Sequence, residues 1–129
     1  MRIDIDIKDD YAIDARFNGY TVHSDQSTAS GGSGAHPEPF DYFMASTALC
    51  AAYYIKSFCK ARDIDTTGMQ IYQDDSKDAA DAYKRRIELH ILLPTEFPEK
   101  YKKAVLAAAN QCTVKKVLEK GPEFSVSLD

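Results

Sequence analysis

Ile3, Ile5 and Ile7 alternate with Asp4 and Asp6 at the head of the chain, a period of two that predicts a half-buried strand. Asp9-Asp10 is a turn signal. Residues 11–17 and 20–24 read as two further strands joined at Asn18-Gly19, since both turn residues tolerate positive φ. Residues 26–35 (QSTASGGSGA) are rich in Gly and Ser, too short for a domain linker, and read as a flexible loop. A long helix follows, from about residue 39 to 62. Its apolar positions, among them Phe40, Phe43, Met44, Ala48, Leu49, Ala51, Tyr54, Ile55 and Phe58, cover nearly the whole circumference up to Lys56. A helix apolar all round is expected to be buried all round.

Residues 68–76 and 83–93 read as strands, the second alternating at Ile87, Leu89 and Ile91, with a polar connection over 74–81. Pro94 and Pro98 bracket the start of a second helix reaching about Asn110. A short third helix over 113–120 is stopped by Gly121-Pro122, and Phe124, Val126 and Leu128 predict a last strand. Three strands, a helix, two strands, two helices and a strand make an α+β order with antiparallel sheets, and 129 residues suit a single domain.

Composition narrows this. Apolar residues make up 44%, yet Ile, Leu, Val and Phe supply only 27 of the 129, the balance coming from 16 Ala and 8 Tyr. So thin an aliphatic core is expected to be completed by a second subunit. A net charge of −4 and a pI near 5.3 argue against binding a phosphate backbone, so no nucleic-acid partner is expected. No run approaches the roughly 18 apolar residues of a membrane span, and the charged N-terminus lacks the apolar core of a signal peptide. A cytoplasmic protein without a membrane partner is expected. Lys102-Lys103 and Lys115-Lys116 read as solvated faces.

Three cysteines, an odd number, do not suggest a disulfide framework in that compartment. Cys50 lies inside the long helix, where packing as a small hydrophobe is the plain reading. Cys59 is nine residues on, about 180° round the helix, so the two face opposite sides and cannot pair within one straight helix. Cys112 or Thr113 is placed to cap the short third helix, whose N-terminus favours a thiolate. His23, His36 and His90 show no ligand spacing, so neither metal nor cofactor is expected.

Gly31-Gly32, then His36-Pro37-Glu38-Pro39-Phe40-Asp41 and an apolar helix reaching Cys50, resemble the OsmC/Ohr family of osmotically inducible and organic hydroperoxide resistance proteins. Residues 108–118, around Cys112, look like that family's second cysteine motif, 62 residues after the first. The resemblance implies an α+β fold with the cysteine helix at the centre of an intertwined homodimer. It also implies thiol-dependent reduction of organic hydroperoxides in the manner of a peroxiredoxin, with Cys50 attacking, Cys112 resolving and an external dithiol restoring both.

A thiol in mid-helix gains little from its own helix dipole, so Cys50 needs a nearby cation to ionise at neutral pH. In the family's peroxidases an Arg held by a Glu supplies it, the Glu following directly on the proline that opens the helix. Here Phe40 follows Pro39, and Asp41 comes one position later, about 100° round the helix. Arg16 is the only Arg between Arg2 and Cys50. Arg16 and Asp41 are therefore the residues on offer for these roles, against plain readings as a solvated strand residue and a first-turn charge. The rival function is a non-catalytic dimer that binds an apolar small molecule in an interface pocket lined by Phe40, Phe43 and Tyr54.

Overall fold

In a computed structural model, the structure describes residues 1–128. They form two compact units, residues 1–45 and the chain from Ser46 onward, with the boundary inside the long helix.

The first unit is built on an antiparallel sheet of β1 (Asp4–Ile7), β2 (Ile13–Phe17) and β3 (Tyr20–Ser24), in that order. Asn18 and Gly19 both take positive φ, 49° and 80°, so a two-residue turn joins β2 to β3 with Phe17 opposite Tyr20. Even-numbered positions gather the charge. Asp6 stands directly opposite Asp14, and this like-charge pair is offset by Lys8, which reaches both carboxylates, and by Arg16 on Asp6, while His23 Nδ1 is hydrogen-bonded to Asp14 at 2.7 Å. The odd-numbered face of β1 is different from what alternation predicts: Ile5 is 57% exposed and Ile7 more so.

The Gly/Ser segment is not loose. Asp25, 2% exposed, accepts hydrogen bonds from the backbone N–H groups of Gln26, Ser33 and Ala35 and from the Ser33 hydroxyl. Those donors favour the ionised carboxylate and bring its pKa down to about 2, the Ser33 hydroxyl contributing most. A short 3₁₀ turn, Thr28–Ser30, sits inside the loop, and the Ser27 N–H donates to the Glu38 carboxylate at 2.8 Å. Flexibility inferred from composition gives way because a single buried acceptor gathers four donors.

The long helix α1 runs over Pro39–Lys60. Proline suits its first turn, and the Asp41 carboxylate reaches back to accept the Glu38 N–H at 2.9 Å. It ends where Asp63 turns left-handed at φ 53° and the Ile64 N–H returns to the Cys59 carbonyl.

The second unit packs the C-terminal part of α1 with the antiparallel pair β4 (Gln70–Lys77) and β5 (Arg85–Leu92), then α2 (Lys102–Ala109) and α3 (Thr113–Lys120). Ile55, Cys59, Phe97 and Val105 form its buried centre, wrapped by Phe58, Met69, Ile71 and Ile91 among others. Four corrections to the sequence reading stand out. The first strand of this pair, expected over 68–76, starts at Gln70 and runs on to Lys77 within the polar stretch, because paired strands tolerate a solvated face. The second helix opens with a 3₁₀ turn at Glu99–Tyr101 before α2. Residues 124–128 form no strand, and Phe124, Val126 and Leu128 stand exposed, since alternation makes a strand only beside a partner ladder. Finally, α1 is not buried all round: within this chain it buries Ala51, Ile55 and Cys59, whereas Leu49 is 70% exposed and Tyr53 nearly as much. No helix of the described residues is long and apolar enough to cross a membrane.

Candidate functional site

Cys50 and Cys112 meet in the second unit. Cys50 projects from the fourth turn of α1, partly buried, towards the start of α3. Cys112 is the N-cap of α3; its sulfur accepts the Lys115 N–H at 3.4 Å and lies 3.8 Å from the Thr47 carbonyl oxygen, to which its S–H donates. Proximity of the two sulfurs thus comes from α3 beginning where α1 carries Cys50.

The two thiols are electrostatically unlike. Burial opposes ionisation of Cys50, but the backbone N–H of Val114, the Cys112 thiol and the N–H of Thr113 outweigh it and hold the Cys50 thiol below its ordinary pKa. Free N–H groups at a helix start carry the positive end of the dipole, so α3 does for Cys50 what α1 cannot. Cys112, 2% exposed, is pushed the other way, first by burial and then by its hydrogen bond to Cys50; the Lys115 and Val114 N–H groups oppose this and lose. Of the two, Cys50 is therefore the thiol that gives up its proton first.

Cys59 takes no part. It is fully buried in the core beside Ile55 and Val105, and burial raises its pKa against the pull of Lys56 and Arg62. The other two residues offered by sequence occupy the first unit. Arg16 binds the Asp6 carboxylate, with Nη2 to Oδ1 at 3.0 Å, and Asp41 holds the Glu38 N–H. The structure brings Cys50 and Cys112 together and gives Arg16 and Asp41 partners within their own unit.

The Thr113 and Val114 N–H groups were not singled out from sequence. The helix start was legible, yet its effect was expected on Cys112, and nothing local says that it serves a sulfur 63 residues earlier. Tyr54 carries a fainter signal: it stands four residues after Cys50 and so shares its face of α1, and its hydroxyl is hydrogen-bonded to Thr113 Oγ1 at 2.8 Å.

A cavity of about 370 Å³ opens beside Cys112. Ala51, Ile87, Leu89, Ile91, Leu106 and Leu118 give it aliphatic walls, with Gln73, Asn110 and Lys115 as polar groups. Tyr54, Phe40 and Phe43 do not line it; the two phenylalanines pair with each other in the first unit, centroids 5.4 Å apart. Among the described residues no cluster of His, Cys, Asp and Glu is placed to hold a metal ion.

The family model for OsmC-like proteins matches residues 31–127, from Gly31 through both cysteines and the cavity walls. The chain belongs to the OsmC-like family. Solved structures agree in fold. An OsmC-like protein from Mycoplasma pneumoniae superposes with a TM-score of 0.72 at 14% identity, over 93% of this chain and 87% of that one. A protein from Psychrobacter arcticus 273-4, named for osmotic stress induction and detoxification response, gives 0.71 at 21% identity over 88% and 85%. An organic hydroperoxide resistance protein OsmC from Legionella pneumophila gives 0.61 at 16% identity over 91% and 87%. No curated protein matches the sequence. An α+β OsmC-like fold with antiparallel sheets is thereby established, as the motifs around Cys50 and Cys112 imply.

Proposed function

We propose that this OsmC-like protein reduces organic hydroperoxides through Cys50 and Cys112, with an external dithiol as reductant. The observation that carries the reading is the unequal pair: Cys50 held towards thiolate by the start of α3, against a Cys112 held as thiol. The Cys50 thiolate attacks the terminal oxygen of the hydroperoxide, the O–O bond breaks, and the alkoxide leaves as alcohol after taking a proton from solvent. The resulting sulfenic acid is attacked by Cys112 sulfur; the Cys112 proton and the sulfenic hydroxide leave as water, and a disulfide forms. Two electrons have passed from the two thiols to the peroxide. Exchange with the dithiol returns both sulfurs to the reduced state. The aliphatic cavity beside Cys112 suits an apolar organic group.

Peptide mapping after one equivalent of cumene hydroperoxide tests this. The expected product is a Cys50–Cys112 disulfide formed within seconds, with Cys59 reduced. If all three thiols stay reduced, the peroxidase reading falls, and the cavity would instead serve the non-catalytic binding of an apolar small molecule.

A homodimer in the cytoplasm completes the proposal. Ile5 and Ile7 in the first unit, and Leu49 and Tyr53 in the second, are large apolar residues left bare by this chain, as a thin single-chain core demands. Sedimentation should give twice the 14.4 kDa chain mass, and Leu49→Asp should shift it towards monomer at micromolar concentration. A monomeric wild type would overturn the dimer.

A further inference from the structure

The polarisation of Cys50 depends on where α3 begins, and something must hold that helix start against α1. The Thr113–Val114 peptide is the first of α3, and the backbone of a helix terminus frays unless it is tied. Beside the long Cys112 S–H contact to the Thr47 carbonyl, a short side-chain hydrogen bond ties the first residue of α3 to α1: Tyr54 hydroxyl to Thr113 Oγ1, 2.8 Å. Tyr54 sits one helical turn beyond Cys50, so both project on the same side of α1. Its neighbour Tyr53 packs edge-on against it at 5.3 Å between ring centroids, which restricts the ring.

We infer that Tyr54 is a positioning residue of this site, its hydroxyl fixing the Thr113 end of α3 so that the Thr113 and Val114 N–H groups stay aimed at the Cys50 sulfur. Tyr54 touches neither sulfur in this role. It acts through α3, and a phenyl ring in its place keeps the packing but lets the helix start drift. The inference rests on the same Cys50 site as the proposed peroxidase activity, so it is tested without peroxide.

The measurement is the rate of Cys50 alkylation by iodoacetamide across pH, followed by peptide mapping, in wild type, Tyr54→Phe, Thr113→Val and Thr113→Ser. Loss of one hydrogen bond's worth of positioning should slow Tyr54→Phe labelling at pH 7 about three- to tenfold, with the rate above pH 10 unchanged, because only the thiolate fraction moves. Thr113→Val removes the same bond from the other side and should match it, and it stands in if Tyr54→Phe does not fold. Thr113→Ser keeps a hydroxyl and should restore the wild-type profile. The double variant Tyr54→Phe/Thr113→Val should be no slower than either single one. An unmoved pH profile in Tyr54→Phe and Thr113→Val, or effects that add in the double variant, overturns the inference. Failure of the disulfide to form with hydroperoxide overturns the peroxidase reading and leaves this pH profile unaffected.

Discussion

Replacing Cys50 by serine should reduce hydroperoxide consumption to the uncatalysed background, a loss of at least a thousandfold, while thermal unfolding stays within a few degrees of wild type. The hydroxyl that replaces the thiol is not ionised at neutral pH, so the Thr113 and Val114 N–H groups have no anion to stabilise and the nucleophile is gone. Cys50 is only partly buried, which keeps the structural cost of removing sulfur small. Cys112→Ser should behave differently. The first oxidation proceeds, because Cys50 and the α3 N–H groups remain, but the sulfenic acid has no thiol to capture it. A single burst of one equivalent should be followed by stalling and by higher oxides of Cys50, visible as added oxygen masses. Continued turnover in the Cys50 variant would remove that residue from the chemistry. Continued turnover in the Cys112 variant would reassign the resolving thiol to the reductant. Activity should fall as the medium is acidified through the depressed Cys50 pKa, since protonation removes the attacking form; above it the thiolate is already present.

Gly32→Ala should open the Asp25 loop. A methyl group at Gly32 would lie 2.1 Å from the Gln26 carbonyl oxygen and 2.7 Å from Asp25 Oδ1, so backbone has to move. Overpacking of this kind costs about 1–3 kcal/mol. Here the loop can relieve the clash by releasing the hydrogen bonds from Gln26, Ser33 and Ala35 to Asp25. Proteolytic cleavage between residues 26 and 35 should therefore accelerate about tenfold, on the rule that 1.4 kcal/mol of local opening is a tenfold change in population. Unchanged protection would show that the loop accommodates the methyl group without unlocking. The loop has its own acid limit. Asp25 is more acidic folded than unfolded, so its contribution is fully present above the ordinary carboxylate pKa of about 3.9 and is lost as pH falls through about 2.

Local signals in the sequence carried the elements well. Asn18-Gly19 placed the β2–β3 hairpin because positive φ at both positions is a property of those two residues. The bounds of α3 followed from a capping position and a glycine stop. Long-range facts were not legible. The Asp25 loop reads as flexible because composition says nothing of a carboxylate that gathers its donors from eight and ten residues away. Ile5, Ile7 and Leu49 read as core because hydrophobic periodicity records which face is apolar and not whether the fold of this chain covers it. The site divides the same way. The pairing of Cys50 with Cys112 was implied by a resemblance, whereas polarisation by the Thr113 and Val114 N–H groups needed the tertiary approach of α3 to α1.

Cys59 gives the molecule a sulfur that keeps time with its core. It is sealed between Ile55, Phe97 and Val105 and disfavoured as thiolate, so a thiol reagent gains access only when the second unit opens. The slowest of the three thiols to react thus counts global openings, on the same footing as the most protected amide protons. An odd cysteine that could exchange with Cys50 or Cys112 is instead withheld from both for as long as the fold survives.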